Sequence, residues 1–278
     1  MHVVRQAAWA ASAYGSTAVR VAVRGTKSRV ARPKEERLVF VVGSPRSGTS
    51  FTAGAIGGLP AFVDLGEVPM LKAAIPRLVE RPEDEQAAEI RRLLQRVRRL
   101  ALVRRLRGVE QTPETAFVLP AALEAFPEAV AVHVVRDGRD VVCSLLERGW
   151  LSARRSAEGD DARQSYGVYP RFWVEPERRE EFTEVSDARR CAWAWRRYVE
   201  AVRGAGAGDR LLEVRYEDLA SAADRLAGFL AANVTSTHRA LDGFRDSSIG
   251  RWRRELTPEQ VADVEAEAGD LLRELGYA

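Results

Sequence analysis

The stretch RLVFVVGSPRSGTSFTAGAIGG, residues 37–58, sets the strongest limit on the fold. Its apolar, β-branched run 37–42 reads as a buried strand, because a strand covered on both faces shows no polar alternation. GSPRSGTS follows at once, and TSFTAGAIGG continues in a helical pattern. A strand, a tight turn and a helix N-terminus together make an anion site, since the first helical amides lack partners and the helix dipole favours negative charge. The nucleotide P-loop reads G-x-x-x-x-G-K-S/T. Here Gly43 and Gly48 keep that spacing, Thr49 occupies the lysine position, and the loop's cation is Arg46. Pro45 stiffens the turn, and Ser47, Thr49 and Ser50 offer hydroxyl donors.

Two more apolar runs, AVAVHVV (129–135) and RLLEVRY (210–216), also read as buried strands, and each precedes a helical pattern, GRDVVCSLLERG and DLASAADRLAGFLAA. Strands alternating with helices predict an α/β, three-layer P-loop-like fold, with a central, mainly parallel sheet flanked by helices. Between the first two of these runs, Ile90, Leu93, Leu94, Val97 and Leu100 recur at helical spacing, with acids early and arginines late as the dipole prefers. Those arginines have little aromatic interleaving, so they read as a solvated helix face and nucleic acid is not expected. Residues 150–186 are polar, carry Trp150, Tyr166, Tyr169, Phe172 and Trp173, and show no period, which predicts a lid or acceptor-binding loop.

Charge divides the chain into a basic N-terminal extension, 1–36, and one domain, 37–278. Residues 1–34 hold seven bases and no acid, leaving 36 bases against 40 acids in the rest. Arg5, Arg20 and Arg24 interrupt every apolar span there, so the extension is no transmembrane helix. It reads either as a loose tail or as a peripheral contact with an anionic membrane surface. Cys143 and Cys191 stand alone, with no ligand-spaced cluster, which argues against a disulfide scaffold or structural zinc and fits a cytoplasmic protein without a metal.

A second cluster narrows the anion. VVRDGRDVVCSLLE places Arg136 at a strand end and Ser144 eight residues later, about two helical turns on. Ligands of open parallel sheets bind at the carboxyl ends of the strands, so Arg136 and the 43–50 loop can face one crevice.

Together these motifs resemble the sulfotransferases that use 3′-phosphoadenosine 5′-phosphosulfate (PAPS), over roughly residues 37–278. PRSGTSF resembles the family's 5′-phosphosulfate loop, RDGRDVVCS its 3′-phosphate element, and RDSSIGRW (245–252) its R-x-x-x-x-G-x-W return to the 3′-phosphate. VRYEDL after the third run is also usual there. The resemblance implies that Ser47, Gly48, Thr49 and Ser50 hold the 5′-phosphate and that Arg46 lies beside the phosphosulfate bridge. It implies that Arg136, Ser144 and Arg245, with Gly250 and Arg251 nearby, hold the 3′-phosphate. Tyr216 and Phe51 would flank the adenine, unless Phe51 is a core residue. No metal is implied, because a phosphosulfate has fewer charges to neutralise than a triphosphate.

Many relatives carry a K-T-H motif that supplies a histidine base; this chain has Gln111, Thr112 and Pro113 in the comparable place. Its histidines are His2, His133 and His238, elsewhere in the pattern. LGEVPMLKAAIPRL (65–78) resembles the segment in which tyrosylprotein and some carbohydrate sulfotransferases carry a glutamate base, and Glu67 matches it. Glu67 could instead begin a helix, and Glu114 and Asp140 are alternative carboxylates. The expected activity is in-line transfer of a sulfo group from PAPS to a hydroxyl, or less readily an amine, of a carbohydrate, lipid, small-molecule or tyrosine acceptor, leaving PAP. A P-loop kinase and a noncatalytic PAP-binding protein are the alternatives.

Overall fold

The computed structural model describes residues 38–103, 106–152 and 172–277, with isolated positions before residue 24. Nearly all of the basic extension, and the 153–171 part of the expected lid with Tyr166 and Tyr169, lie outside the described residues.

Five strands, β1 (Val39–Val42), β2 (Phe62–Gly66), β3 (Arg107–Glu110), β4 (Val130–Val135) and β5 (Leu211–Arg215), form one sheet in the order β2-β3-β1-β4-β5. Every pairing is parallel. The helices that matter below are α1 (Thr49–Gly57), α2 (Pro69–Leu78), α3 (Glu83–Val103), α4 (Leu119–Ala125), α5 (Gly138–Arg148) and α6 (Arg179–Glu184). They are followed by α7 (Asp187–Arg203), α8 (Ala223–Leu230), α9 (Val234–Leu241), α10 (Trp252–Glu255) and α11 (Pro258–Glu274).

Period-two geometry sends alternate residues of β1 to opposite faces. Leu38, Phe40 and Val42 enter one core with α2, α3, α4, α5, α7 and α11. Val39 and Val41 enter the other with α1, α8 and α9. The result is the expected three layers. From β1 the chain runs outward to β2, and from β4 it runs the opposite way to β5, so the carboxyl ends of β1 and β4 flank a topological switch point.

The expected strands at 37–42, 129–135 and 210–216 are β1, β4 and β5. Two expectations need correction. DLASAADRLAGFLAA is not one helix: a 3-10 turn over Tyr216–Ser221 precedes α8, which stops at Ala231, a left-handed residue with φ 48°. Part of the supposed lid belongs to the body: Trp173 is buried, its ring centroid 5.4 Å from that of Phe182, and Arg197 Nε donates to its carbonyl at 2.8 Å. Buried Glu267 of α11 then accepts from Arg178, Arg189 and Arg196, which ties the 172–186 stretch to α7 and α11. An aromatic anchor and a satisfied buried carboxylate outweigh the polar composition that suggested a loop.

Candidate functional site

The loop after β1 is shaped by backbone that most residues avoid. Gly43 has φ 151°, Gly48 φ 92°, and Arg46, which is not a glycine, φ 74°. A Cβ on Gly48 would come within 2.4 Å of the Tyr216 ring, so only glycine lets this ring close over the loop. Gly48 is also the N-cap of α1, which has neither a side-chain cap nor an acid in its first turn. Its leading amides and dipole are therefore available to an anion. Ser47 Oγ is buried without a hydrogen-bond partner among the described residues.

Arg136, at the end of β4, is buried and braced from several sides. Its Nη1 donates to the Arg46 carbonyl at 3.1 Å, its Nη2 to the Ser248 carbonyl at 2.6 Å, and its guanidinium lies 4.6 Å from the Tyr216 ring centroid. Trp195 Nε1 donates to the Arg136 carbonyl at 3.0 Å. Arg136 Nε keeps no partner among the described residues. In the first turn of α5, Asp140 is fully buried, and its carboxylate accepts the amides of Gly250 at 2.7 Å and Trp252 at 3.0 Å. That contact brings RDSSIGRW back across the crevice, and it occupies both Asp140 oxygens, which removes Asp140 as a candidate base.

Arg46 then crosses to the second cluster: its Nε donates to Ser144 Oγ at 2.9 Å. Burial, followed by the neighbouring cations Arg148 and Arg136, holds its guanidinium below the ordinary value. Arg251 adds to this crowding, although Glu147 and Glu255 pair with it at 2.9 and 2.7 Å. So the loop residues, Arg136, Ser144, Gly250 and Arg251 converge on one crevice. Arg245 stands at its edge, exposed, and its carbonyl accepts from Tyr216 Oη at 3.2 Å.

A sulfotransferase-domain family model matches residues 38–239. The chain belongs to the sulfotransferase family.

The fold of this sulfotransferase is similar to the sulfotransferase domain from the curacin biosynthetic pathway, with 15% identity, a TM-score of 0.54, and coverage of 87% of this chain and 98% of that one. The sulfotransferase domain from the Synechococcus PCC 7002 olefin synthase also resembles it, at 15% identity and a TM-score of 0.49, over 87% of this chain and 98% of that one. Mouse sulfotransferase SULT7A1 complexed with PAP matches at 14% identity and a TM-score of 0.48, over 87% of this chain and 86% of that one. No curated protein matches the sequence.

On the β2 and β3 side of the sulfotransferase crevice, Glu67 directly follows β2 and is exposed, with its Oε2 2.8 Å from Lys72 Nζ. Glu114, the alternative base, is buried; burial pushes it up to about 7, against the pull of Lys72. Gln111 is held by Ser50, whose hydroxyl donates to its Oε1 at 3.2 Å. His133 lies inside β4 against Glu213, and His238 contacts Asp224 in the open, so neither is in the crevice.

Two residues of this sulfotransferase site escaped the sequence reading. Phe244 joins Phe51 and Tyr216, with ring centroids 5.7 and 4.9 Å away, and no periodicity marks it. Its one signal is its place directly before Arg245. Phe51 is half-buried and packs on this cluster as well as on the core. Arg148, at the last turn of α5, was the other. Among the described residues no helix is long and apolar enough to cross a membrane, and no group of three or more His, Cys, Asp or Glu is placed to hold a metal ion.

Proposed function

We propose that the protein moves a sulfo group from PAPS to an acceptor hydroxyl. The observation that carries this reading is the junction of the two anion elements: Arg136 holds the Arg46 backbone while Arg46 reaches Ser144. Bound PAPS supplies the sulfo group on a phosphosulfate bridge. The residues fit it: an uncapped helix start, a glycine cradle, and two buried polar atoms, Ser47 Oγ and Arg136 Nε, that lack partners among the described residues. In this reading the α1 amides with Ser47, Thr49 and Ser50 hold the 5′-phosphate. Arg136, Ser144, Arg245 and the Gly250–Arg251 turn hold the 3′-phosphate. Phe51, Phe244 and Tyr216 flank the adenine.

Arg46 cannot give up its proton at neutral pH even when lowered, so its contribution is electrostatic: it stabilises charge gathering on the leaving phosphate. Glu67 takes the acceptor's proton as the oxygen–sulfur bond forms. A phosphoryl-transfer enzyme is disfavoured, since Thr49 fills the P-loop lysine position and the crevice carries a second cluster of arginines.

Calorimetric titration with PAP, ADP and ATP, together with incubation with 35S-labelled PAPS and fractionated extract, tests the reading. PAP binding well above ADP, with label passing to an acceptor, is expected. Equal affinity for ADP and PAP would remove the 3′-phosphate assignment. PAP binding with no transfer to any fraction would favour a noncatalytic PAP-binding protein.

A further inference from the structure

Lys72, on α2, contacts two carboxylates at once: Glu67 Oε2 at 2.8 Å and Glu114 Oε1 at 3.4 Å. Their surroundings differ, with side-chain exposures of 41% for Glu67, 19% for Lys72 and 2% for Glu114. Glu114 is thus a buried anchor, Lys72 a stem threaded through the wall, and Glu67 the end that meets solvent. The turn carrying the anchor is itself fixed to the chain beside Glu67. Thr112 Oγ1 accepts the Val68 amide at 3.0 Å, and buried Glu110 accepts from the Thr112 amide at 2.8 Å and from Thr115 Oγ1 at 3.3 Å.

A lysine given wholly to an exposed glutamate makes a loose ion pair. It also makes that glutamate a poorer base, because a neighbouring cation favours the ionised form. A second, buried carboxylate on the same ammonium changes both facts: it fixes where the cation sits and divides its pull. Glu114 Oε2 has no partner among the described residues, so its attachment to neighbouring side chains is through Lys72.

Resting on Glu67 as the proton acceptor, we infer that Lys72 and Glu114 are its positioning residues. Glu114 holds the Lys72 ammonium, and Lys72 holds Glu67 Oε2, which leaves Oε1 for the acceptor's proton. In the transfer the acceptor oxygen bonds to sulfur, the bond from sulfur to the bridging oxygen breaks with its electron pair going to the phosphate, and the hydroxyl proton passes to Glu67. Lys72 keeps its own proton throughout. Burial works against that charge, but Glu114 and Glu67 together raise Lys72 above its ordinary value. The charged group that Lys72 and Glu114 both face is Glu67 after β2, and Glu67 in turn faces Glu110 at the end of β3, which burial pushes up to about 8.

Carboxyl-carbon NMR on the full chain, with glutamate labelled and Glu114→Gln used for assignment, reads the Lys72–Glu114 contact without needing an acceptor. Lys72→Met should move the Glu114 titration midpoint further upward, because the ammonium that opposes its burial is gone. Lys72→Arg should restore most of it, and PAP affinity should stay at the wild-type level. With an acceptor found by labelling, Lys72→Met should lower kcat by about tenfold, the kind of loss a misplaced catalytic group produces, and Lys72→Arg should recover most of that too. If Lys72→Met leaves the Glu114 midpoint where it was, the positioning role is wrong whatever Glu67 does. If the midpoint moves but Glu67→Gln still turns over at the wild-type rate, the error lies in taking Glu67 as the base.

Discussion

Arg46 Nε donates to Ser144 Oγ at 2.9 Å across 98 residues of chain, and so joins the loop after β1 to the helix after β4. The contact links the two phosphate elements before any ligand enters. Ser144→Ala removes a hydroxyl from a charged partner, and such hydrogen bonds are worth about 1.5–3 kcal/mol. PAP affinity should fall by about tenfold or more in calorimetric titration, and the thermal midpoint of the free protein should drop by several degrees, because the bond is present without ligand. Wild-type affinity in this variant would place Ser144 outside the nucleotide site.

Glu67→Gln keeps the shape of the side chain and removes its capacity to take a proton. Turnover should fall by roughly 10² or more, the range for losing a general base, while PAP binds as before. The split between kcat and nucleotide affinity is the diagnostic measurement. A fall in both together would mean that the change disturbs the crevice through Lys72 rather than the proton transfer.

The parts of the architecture legible in the sequence are those whose physics is local. β1, β4 and β5 announce themselves because each is an apolar or β-branched run, and the anion loop does so because its glycines must sit at fixed spacing to reach φ 151° and 92°. β2 and β3 do not. Their sequences, FVDLG and RGVE, are short, and Asp64, Arg107 and Glu110 break the apolar pattern that marks a buried strand. Asp64 accepts the Gly66 amide, Arg107 donates to the Leu230 carbonyl, and Glu110 turns inward to Thr112 and Thr115. Phe244 and the Lys72–Glu114 contact are hidden for the same reason: no spacing rule connects residues brought together by a crossover. Asp140 shows the limit from the other side. Its place at the front of the GRDVVCSLLERG pattern is local, yet its grip on Gly250 and Trp252 spans more than a hundred residues.

That grip has a measurable consequence. Asp140→Ala would leave the Gly250 and Trp252 amides without their acceptor at the position where the R-x-x-x-x-G-x-W element meets α5. An unmade hydrogen bond at a partly buried amide costs about 1–3 kcal/mol. The thermal midpoint should drop by several degrees, and PAP affinity should fall with it, because Arg136 Nη2 also depends on the Ser248 carbonyl of the same turn. Hydrogen exchange should show the 248–252 amides losing protection first. A variant with lowered stability but unchanged PAP affinity would exclude that turn from the nucleotide site.

Glu110 makes stability depend on pH with a definite sign. Burial pushes its carboxyl up to about 8 despite hydrogen bonds from Thr112 and Thr115 that favour the ionised form. The folded state therefore keeps a proton that the unfolded chain releases at the ordinary carboxyl value of about 4.3. By linkage, this group's contribution is greatest below that unfolded value and is lost as pH rises toward 8, because over that window the native state binds more protons than the unfolded one. Glu110→Gln is nearly isosteric, carries no charge and can still accept from the Thr112 amide through its carbonyl oxygen. Its thermal midpoint should exceed that of the wild type by several degrees at pH 8, and the gap should close as the pH approaches 4. A gap that is constant with pH, or that widens on acidification, would mean that Glu110 is ionised inside the fold.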